Sequence, residues 1–345
     1  SNNINLLEPC GQFGTRLMGG KDASQTRYIF TKLTKDARKL FDPRDDAILN
    51  YLDDDGHPIE PEFYMPTLPM VLVNGTEGIG TGFSCYVPPF NPEDIKANIK
   101  RMLGGEEIVP MRPWFRGFKG VVHKEEDTWM MEGVWNWSGS NIMVTELPPG
   151  RWTQDYKEYL DTLVEKKLIG GYTNNSTTED VHFEIMDYAG KDLLKDLKLR
   201  KTFRVSNMHL FHPTKGIHKY ASPEEILKDF VELRLDHYKR RKAHLIDVLE
   251  KRADMCSHKS RFVSMVIEEK LIVFKRKKQE LEEEISTTFP KIDGNWDYLL
   301  NIKTVEYTEE RVKALMDEAK QASEDLEKMM KMSHITMWKT DIKNM

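Results

Sequence analysis

The sequence predicts an α+β protein with several domains, in which a long antiparallel coiled coil follows mixed helices and strands. Three features indicate this fold class: turn-rich segments up to about residue 86, alternating strands interleaved with helices over about 88–220, and an unbroken helical pattern from Ser222 onward. The length of 345 residues is sufficient for two or three hydrophobic cores.

Glycine, proline and aspartate punctuate the first region, as in "GQFGTR", "MGGKD" and "DDDGHP". The apolar stretch "YMPTLPMVLVNG" lies between prolines and a glycine turn, which predicts a strand. The acidic "YLDDDGHP" resembles a metal site, but consecutive aspartates point in different directions, so a solvated loop is the better interpretation.

The middle region combines strands with a helical stretch. "FKGVVH", "TWMMEGVWNW" and "SNIMVTELP" alternate or are rich in aromatic residues, which is typical of strands, whereas "TQDYKEYLDTLVEKKL" has helical spacing. This mixture favours an antiparallel sheet packed against helices.

The third region begins with a helix start signal, since Ser222 can cap the helix, Pro223 occupies its first position and glutamates follow. The helical pattern then continues far beyond an ordinary globular helix. Near the end, apolar residues three and four apart predict a returning helix with a heptad seam: Val312, Leu315, Ala319, Ala322, Leu326 and Met329. Between the two helices, "FPKIDGNWDYLLNIKTVEY" predicts a small globular tip.

The net charge of −5 and a pI near 6.1 argue at first against a nucleic-acid partner. The charge is segregated, however, because residues 1–40 carry seven lysines and arginines against three acidic residues. A local basic face can bind phosphates on a chain that is acidic as a whole.

A mean hydropathy of −0.59 and the lack of any apolar run of about 20 residues predict no membrane span. Cys10, Cys85 and Cys256 match neither a metal nor a disulfide spacing, which indicates a reducing compartment. The chain opens on polar "SNNIN" without Met, so we expect it to be a piece of a longer protein.

Two motifs are candidates for function. In "QTRYIF", Tyr28 follows Arg27, and its ring either packs in a core or presents a hydroxyl for chemistry. In "NGTEGIGTGF" (Asn74–Phe83), four glycines suggest a phosphate loop, but neither a P-loop nor a dinucleotide fingerprint fits. The remaining alternatives are a buried turn with Ile79 in the core, or a turn that presents Ile79 as a wedge entering a DNA base step.

The motifs together resemble a known family. "GQFGTRLMGGKDASQTRYIFTKL", "EPEFYMPTLPMVLVNGTEGIGTGFSCYVPPFNP" and "VTELPPGRWTQ", with "FVELRLDHYKRRK" and "WDYLL" further on, are similar to type IIA DNA topoisomerases, in particular the eukaryotic topoisomerase II branch. The resemblance implies three domains: the C-terminal part of a winged-helix DNA-cleavage domain (1–87), an α/β tower or shoulder domain (88–221), and a coiled coil with a C-gate dimerisation region (222–345).

The resemblance also implies the chemistry. Tyr28 would be the nucleophile that forms a 5′-phosphotyrosyl bond and frees a 3′-hydroxyl, so that DNA is cut, passed and rejoined to relax supercoils and decatenate. Because a free tyrosine has a pKa of about 10, the reaction needs charge stabilisation nearby, and Arg27 would supply it at the phosphoryl oxygens. Ile79 would intercalate and bend the duplex. Three further residues would contact backbone phosphates: Arg16, Lys21 and, in "GRWT", Arg151.

Cofactors and partners are likewise implied. Mg²⁺ would be bound by a Toprim domain and ATP by an ATPase domain, both outside this chain, which itself should hold no metal. The partners would be double-stranded DNA and a second copy joined at the C-gate, with no membrane. The expected location is the nucleus for a cellular eukaryotic protein, and the host nucleus or cytoplasm for a viral one.

Two other interpretations remain. A tyrosine recombinase also uses tyrosine and arginine, and "HYKR" (His237–Arg240) imitates its H-x-x-R, but this motif follows Tyr28 on the long helix and is expected to face solvent. A non-catalytic coiled-coil protein that organises DNA would explain the basic segment and the long helices. It would not explain why "TRYIF" and "GTEGIGTGF" occur together.

Overall fold

The secondary structure alternates short strands with helices up to the long helix that begins at Pro223. The computed structural model describes residues 2–82, 84–292 and 294–345; Ser1, Phe83 of the glycine-rich motif and Asp293 of the tip segment lie outside them. In chain order, the strands of the described residues are β1 (Leu7–Cys10), β2 (Phe30–Leu33), β3 (Tyr51–Asp54), β4 (His57–Pro61), β5 (Thr76–Ile79), β6 (Ser84–Val87), β7 (Val121–Glu125), β8 (Thr128–Glu132), β9 (Val134–Ser138), β10 (Asn141–Glu146), β11 (Gly171–Asn174), β12 (Phe183–Met186), β13 (Arg200–Phe203), β14 (Met208–His212) and β15 (Gly216–Tyr220).

The helices of the described residues range from a single turn to 45 residues. They are α1 (Ala37–Leu40), α2 (Met70–Val73), α3 (Pro92–Met102), α4 (Thr153–Glu165), α5 (Leu193–Asp196), α6 (Pro223–Ile267), α7 (Lys278–Ser286), α8 (Asp297–Leu300), α9 (Glu309–Lys331) and α10 (His334–Lys343). Short 3₁₀ turns occur at Thr26–Tyr28, Pro43–Ile48 and Thr304–Glu306. None of the helices in these ranges is both long and apolar enough to cross a membrane.

The chain divides into two compact units. The first comprises residues 1–43, 64–234 and 341–345, and the second comprises 44–63 and 235–340. The predicted α+β class is confirmed as a mixed α/β chain with a long helix. The predicted domain boundaries at 87 and 221 stay a prediction.

In the first unit, the middle region forms antiparallel sheets as predicted. One sheet has the strand order β11-β12-β10-β9 and another the order β13-β8-β7. Helix α4 packs on the four-stranded sheet, where Tyr156 and Leu160 meet Ile142, Val144 and Phe183 in a fully buried core. Along β10, buried and partly exposed residues alternate, which is the two-residue period that its sequence predicts for a strand.

One predicted element is wrong. The apolar run before the glycine-rich motif forms the short helix α2 and not a strand. The N–H of Leu72 donates to the Pro69 carbonyl (2.9 Å), which closes the first turn, and Leu72 and Val73 are fully buried. An apolar run of four residues has no periodicity that separates strand from helix, so tertiary burial decided this segment.

Helix α6 starts at the predicted cap. The Glu225 N–H donates to Ser222 Oγ (3.3 Å), and the Glu225 carboxylate accepts from the N–H of Ala221 (2.8 Å), the residue before the cap, so both side chains satisfy donors at the start of the helix. This end of α6 belongs to the first unit, and from Leu235 onward the helix belongs to the second.

Within the second unit, α9 runs antiparallel to α6. Lys242 Nζ donates to the Met330 carbonyl (3.0 Å), whereas further along α6 Lys259 lines a cavity together with Leu315. The predicted seam faces inward, since Leu315 and Ala322 are buried and the other four seam residues are partly buried. The predicted tip segment contributes Phe289 and Leu299 to a core that it shares with the preceding residues Phe262, Leu271, Leu281 and Ile285.

The "HYKR" motif does not face solvent as expected, because His237 and Tyr238 are buried and Arg240 is partly buried, while Lys239 is exposed. His237 is 3% exposed and contacts the ring of Phe63, and the Arg240 guanidinium donates to the Ile48 carbonyl. Next to it, Arg241 Nε donates to Asp45 Oδ1 (2.6 Å), and both side chains are buried. Segment 44–63 covers this face of α6, which explains the burial and gives the motif a structural role.

Candidate functional site

Tyr28 lies on a surface turn. The 3₁₀ turn Thr26–Tyr28 is closed by the Tyr28 N–H donating to the Gln25 carbonyl (2.9 Å), and no residue of the turn is buried. The Tyr28 side chain is 68% exposed, and its hydroxyl makes no hydrogen bond to any described residue. The turn therefore presents the phenol to solvent, which excludes the interpretation as a core aromatic.

Arg27 lies against the same ring. Its guanidinium carbon is 5.2 Å from the centroid of the Tyr28 ring, within the range of a cation–π contact, and its Nη2 donates to Gln25 Oε1. These contacts hold a positive charge beside the exposed phenol, although Arg27 is itself exposed.

The preceding loop, residues 11–25, is held by its own polar contacts. Asp22 accepts hydrogen bonds from the Thr15 N–H (2.9 Å) and the Thr15 hydroxyl (2.6 Å), and the hydroxyl contact above all holds the pKa of Asp22 below its usual value. The Ser24 N–H donates to the Gln12 carbonyl (2.9 Å). The loop that leads to Tyr28 is thus an ordered structure.

Arg16 forms an internal ion pair. Its Nη2 donates to Glu146 Oε1, and the Glu146 side chain is 1% exposed while that of Arg16 is 30% exposed. Glu146 also accepts from the Leu147 N–H (3.0 Å) and the Lys119 N–H (3.3 Å). Arg16 therefore compensates a buried carboxylate, a role that its sequence motif did not indicate.

Lys21 forms a surface pair with α4. Its Nζ is 3.2 Å from Asp155 Oδ1, and both side chains are about half exposed or more, at 67% and 49%. Arg16 and Lys21 thus attach the loop to either end of the segment 146–155, which contains the "GRWT" motif.

Trp152 lies at the centre of this arrangement. A Cβ on Gly19 would come within 2.3 Å of the Trp152 indole, and Gly19 has a φ of +62°, so only glycine fits here without displacement. The Gln154 N–H donates to the Leu17 carbonyl (2.9 Å), which fixes the loop to the start of α4. Because the Gly19 backbone approaches the Trp152 indole closely, the loop of residues 11–25 packs against the segment 146–155.

Arg151, the next predicted residue, is partly buried. Arg16, Arg116 and Arg151 line one cavity of about 410 Å³ beside Trp152. The Nε of Arg151 has no hydrogen-bond partner among the described residues. Burial lowers the pKa of the Arg151 guanidinium, whereas the nearby Tyr156 favours its charged form. The structure therefore brings Arg16 and Arg151 together, since both line the same cavity.

Ile79 lies at the tip of the β5–β6 hairpin. Its side chain is 93% exposed, and Ile79 pairs with Ser84 at the last register position before the turn. The base of the hairpin is packed, since the Tyr86 ring contacts Phe203 (5.7 Å) and burial raises the pKa of Tyr86 to about 12. Of the two alternatives for this motif, the buried turn is excluded.

The sequence did not indicate the roles of Glu146 and Trp152, which hold the loop of residues 11–25 (the basic loop) in place. A signal for Glu146 was available, because it follows Ile142 and Val144 at alternate positions of β10 and therefore belongs to the buried face. The acidic "YLDDDGHP" forms the exposed hairpin β3–β4. Within residues 2–82, 84–292 and 294–345, no three His, Cys, Asp or Glu side chains are placed to hold a metal ion.

Comparisons with known proteins agree with these motifs. The family of the A-type subunits of DNA gyrase/topoisomerase IV matches residues 1–343. DNA topoisomerase 2 of Plasmodium falciparum is 39% identical over 99% of this chain and 28% of its own length, and that of Pisum sativum is 44% identical over 81% and 20%. That of Saccharomyces cerevisiae is 33% identical over 99% and 28%. The chain thus spans about a quarter of the length of these curated relatives.

A solved structure is similar as well. The crystal structure of the Plasmodium falciparum topoisomerase II DNA-binding, cleavage and re-ligation domain superposes with a TM-score of 0.91 at 41% identity. The match covers 99% of this chain and 52% of that one. The resemblance that the motifs indicate is confirmed, and the chain belongs to the family of DNA gyrase/topoisomerase IV A-type subunits, with eukaryotic type II topoisomerases among its relatives.

Proposed function

We propose that this chain is the DNA breakage and reunion part of a type II DNA topoisomerase, with Tyr28 as the nucleophile. The observation that carries the proposal is the exposed Tyr28 hydroxyl, which has no partner among the described residues and lies beside the Arg27 guanidinium. A structural tyrosine would pack its ring or bond its hydroxyl, as Tyr156 and Tyr188 do in the same unit.

The reaction exchanges one ester for another. The phenol loses its proton and its oxygen attacks a backbone phosphorus, the bond from phosphorus to the 3′-oxygen breaks, and the 3′-oxygen takes up a proton. The chain then carries the 5′-phosphate as a tyrosyl ester, and attack by the 3′-hydroxyl restores the DNA and the free Tyr28. Arg27 would stabilise the negative charge that develops on the phosphoryl oxygens.

Other parts of the full enzyme are required. Mg²⁺ stabilises charge in phosphoryl transfer, and the described residues offer no cluster for it, so we assign it to a Toprim domain outside this chain. ATP likewise belongs to a separate domain. We propose a homodimer in which a C-gate at the coiled coil opens, and a nuclear location in a cellular eukaryote.

The proposed layout has a winged-helix part at 1–87, a tower at 88–221 and a coiled coil at 222–345. In support, the core of Ile142 and Phe183 lies wholly within the middle range, and the core of Phe262 and Leu299 lies within the last. The antiparallel packing of α6 and α9 fits the coiled coil.

DNA would lie across the basic loop and the Ile79 hairpin. Ile79 is placed to enter a base step and bend the duplex, because its side chain is exposed and apolar and therefore loses no hydration of a charge when it enters between bases. Lys21 can exchange Asp155 for a phosphate at little cost, since both side chains are exposed. We also propose Arg16 and Arg151 as phosphate contacts, with Arg16 keeping Glu146 paired.

The test is capture of the covalent adduct. The complete enzyme is allowed to cleave DNA, denatured rapidly, and the trapped protein is mapped by mass spectrometry to identify the modified residue. We expect the nucleotide on Tyr28, and we expect Tyr28→Phe to give no adduct while binding DNA normally, because the ring is exposed and supports no packing. An adduct on another residue would contradict the role of Tyr28, and a complete protein that binds DNA but never yields an adduct would favour a non-catalytic DNA-organising protein.

A further inference from the structure

A second exposed apolar tip lies next to the Ile79 hairpin. In the hairpin β14–β15, Phe211 pairs directly with Ile217, and their side chains are 85% and 51% exposed. A phenylalanine so exposed on a sheet surface forgoes the free energy of burial, which indicates a binding role.

The two faces of this hairpin differ. Met208 and Tyr220 form a cross-strand pair on the inner face and are buried. The outer face carries the alternate residues of the two strands, which are the cross-strand pairs Phe211–Ile217 and His209–Lys219. The apolar pair and a lysine therefore share one outward surface.

The hairpin is ordered rather than loose. His212 Nδ1 accepts from the Thr214 N–H (3.1 Å) and the Lys215 N–H (3.3 Å), which closes the turn. On the other side of the ring, His212 Nε2 is 3.4 Å from Asp229 Oδ2, and the Tyr220 hydroxyl donates to the same oxygen (2.9 Å). The Phe211 tip is thus held in place before any partner binds.

Strand β14 lies beside β6, the second strand of the Ile79 hairpin. Asn207 Nδ2 donates to Ser84 Oγ (2.9 Å), and the Tyr86 N–H donates to the Asn207 carbonyl (3.4 Å). His209 Nδ1 lies 3.1 Å from the Ser84 carbonyl, so the two strands run antiparallel. Continuing this register by two residues places Phe211 towards the same end as Ile79.

The chain segment that contains the hairpin is basic, and the nearby acidic side chain of Asp229 is already bonded to His212 and Tyr220. From Lys198 to Ser222 the sequence contains six lysines and arginines and no acidic residue. Arg200 is paired with Glu132, whereas the other five form no ion pair with any residue in the described ranges, among them Lys215 and Lys219 of the hairpin itself. An apolar pair with two lysines without ion-pair partners on the same hairpin is complementary to DNA, which has anionic phosphates outside and apolar base faces inside.

We propose that the Phe211–Ile217 pair is a second apolar contact to the same DNA duplex, in the groove beside Ile79, with Lys215 and Lys219 on the flanking phosphates. The inference rests on the proposed function, since it takes the same DNA as its ligand. It predicts that each protomer holds the bent duplex at two apolar points rather than one.

The experiment measures affinity and bending of a fluorescently labelled duplex by the complete enzyme. We expect Phe211→Ala to weaken binding by about tenfold and to reduce the bend, and Phe211→Leu to restore most of both. The matched control is Val121→Ala, because Val121 is also an exposed strand residue (60%) in the same unit. When both Lys215 and Lys219 are replaced by alanine, the DNA affinity should depend less steeply on salt concentration, by the amount that corresponds to about two lost phosphate contacts.

The outcomes separate the two proposals. If Phe211→Ala binds and bends DNA like the parent while the parent forms the Tyr28 adduct, the inference is wrong and the proposed function stands. If the adduct maps elsewhere but Phe211→Ala still weakens binding, the proposed function fails and the contact remains. If Phe211→Ala instead changes only the oligomeric mass in light scattering, the surface binds a second protein copy and the inference is overturned.

Discussion

Arg16 on the basic loop and Glu146 at the end of β10 form an ion pair in which the carboxylate side chain is 1% exposed. The two residues are 130 positions apart, so the pair fixes the loop that precedes Tyr28 to the middle region of the first unit. A carboxylate at this depth requires its partner, because an unpaired buried charge is costly.

The first prediction concerns the stability that this pair provides. We expect Arg16→Ala to lower the free energy of unfolding by about 2 kcal/mol, since Glu146 would remain buried without its guanidinium. Urea unfolding measures the loss. Lys21→Ala is the control, because its pair with Asp155 is exposed and should be worth less than about 0.5 kcal/mol. Equal effects of the two substitutions would contradict the structural role of Arg16.

The second prediction concerns Arg27. Arg27→Ala should slow DNA cleavage by the complete enzyme by about a hundredfold while changing DNA affinity little, because the guanidinium acts on charge that develops during the reaction. Single-turnover cleavage and equilibrium binding measure the two effects. Arg27→Lys keeps the charge but not the planar fork, so it should recover only part of the rate. A cleavage rate unchanged in Arg27→Ala would exclude this role.

The third prediction separates bending from binding at Ile79. Ile79→Ala should reduce the bend of a labelled duplex more than it reduces affinity, because the substitution removes a wedge and no charge. Energy transfer between the duplex ends reports the bend. Val305→Ala provides the comparison, since Val305 is 79% exposed but lies in the tip segment of the second unit. An unchanged bend angle for Ile79→Ala would remove the support for intercalation.

The fourth prediction uses two adjacent glycines. Gly19 and Gly20 both have positive φ, at +62° and +87°, but only Gly19 faces a neighbour, the Trp152 indole. Gly20→Ala should therefore cost about 1 kcal/mol of backbone strain, whereas Gly19→Ala should cost more and change the tryptophan fluorescence. Similar costs with unchanged fluorescence would show that the loop does not pack on Trp152 as described.

Local patterns predicted a large part of the fold. The Ser222 cap, the strands of the middle region and the seam on α9 depend on neighbours within a few residues, and the structure has them where the sequence indicates. Tyr28 and Ile79 were found in the same way, from motifs that are contiguous in the chain, although their exposure became visible only in the fold.

The sequence by itself determined most element types through short-range periodicity, and it indicated the family and the candidate nucleophile through the resemblance of contiguous motifs. Only the tertiary structure decided that Glu146 pairs with Arg16, that α2 is a helix, that His237 is buried and that segment 44–63 packs with the second unit. The physical reason is that burial and charge pairing depend on residues distant in the chain, and no local pattern specifies which distant surface covers a given side chain.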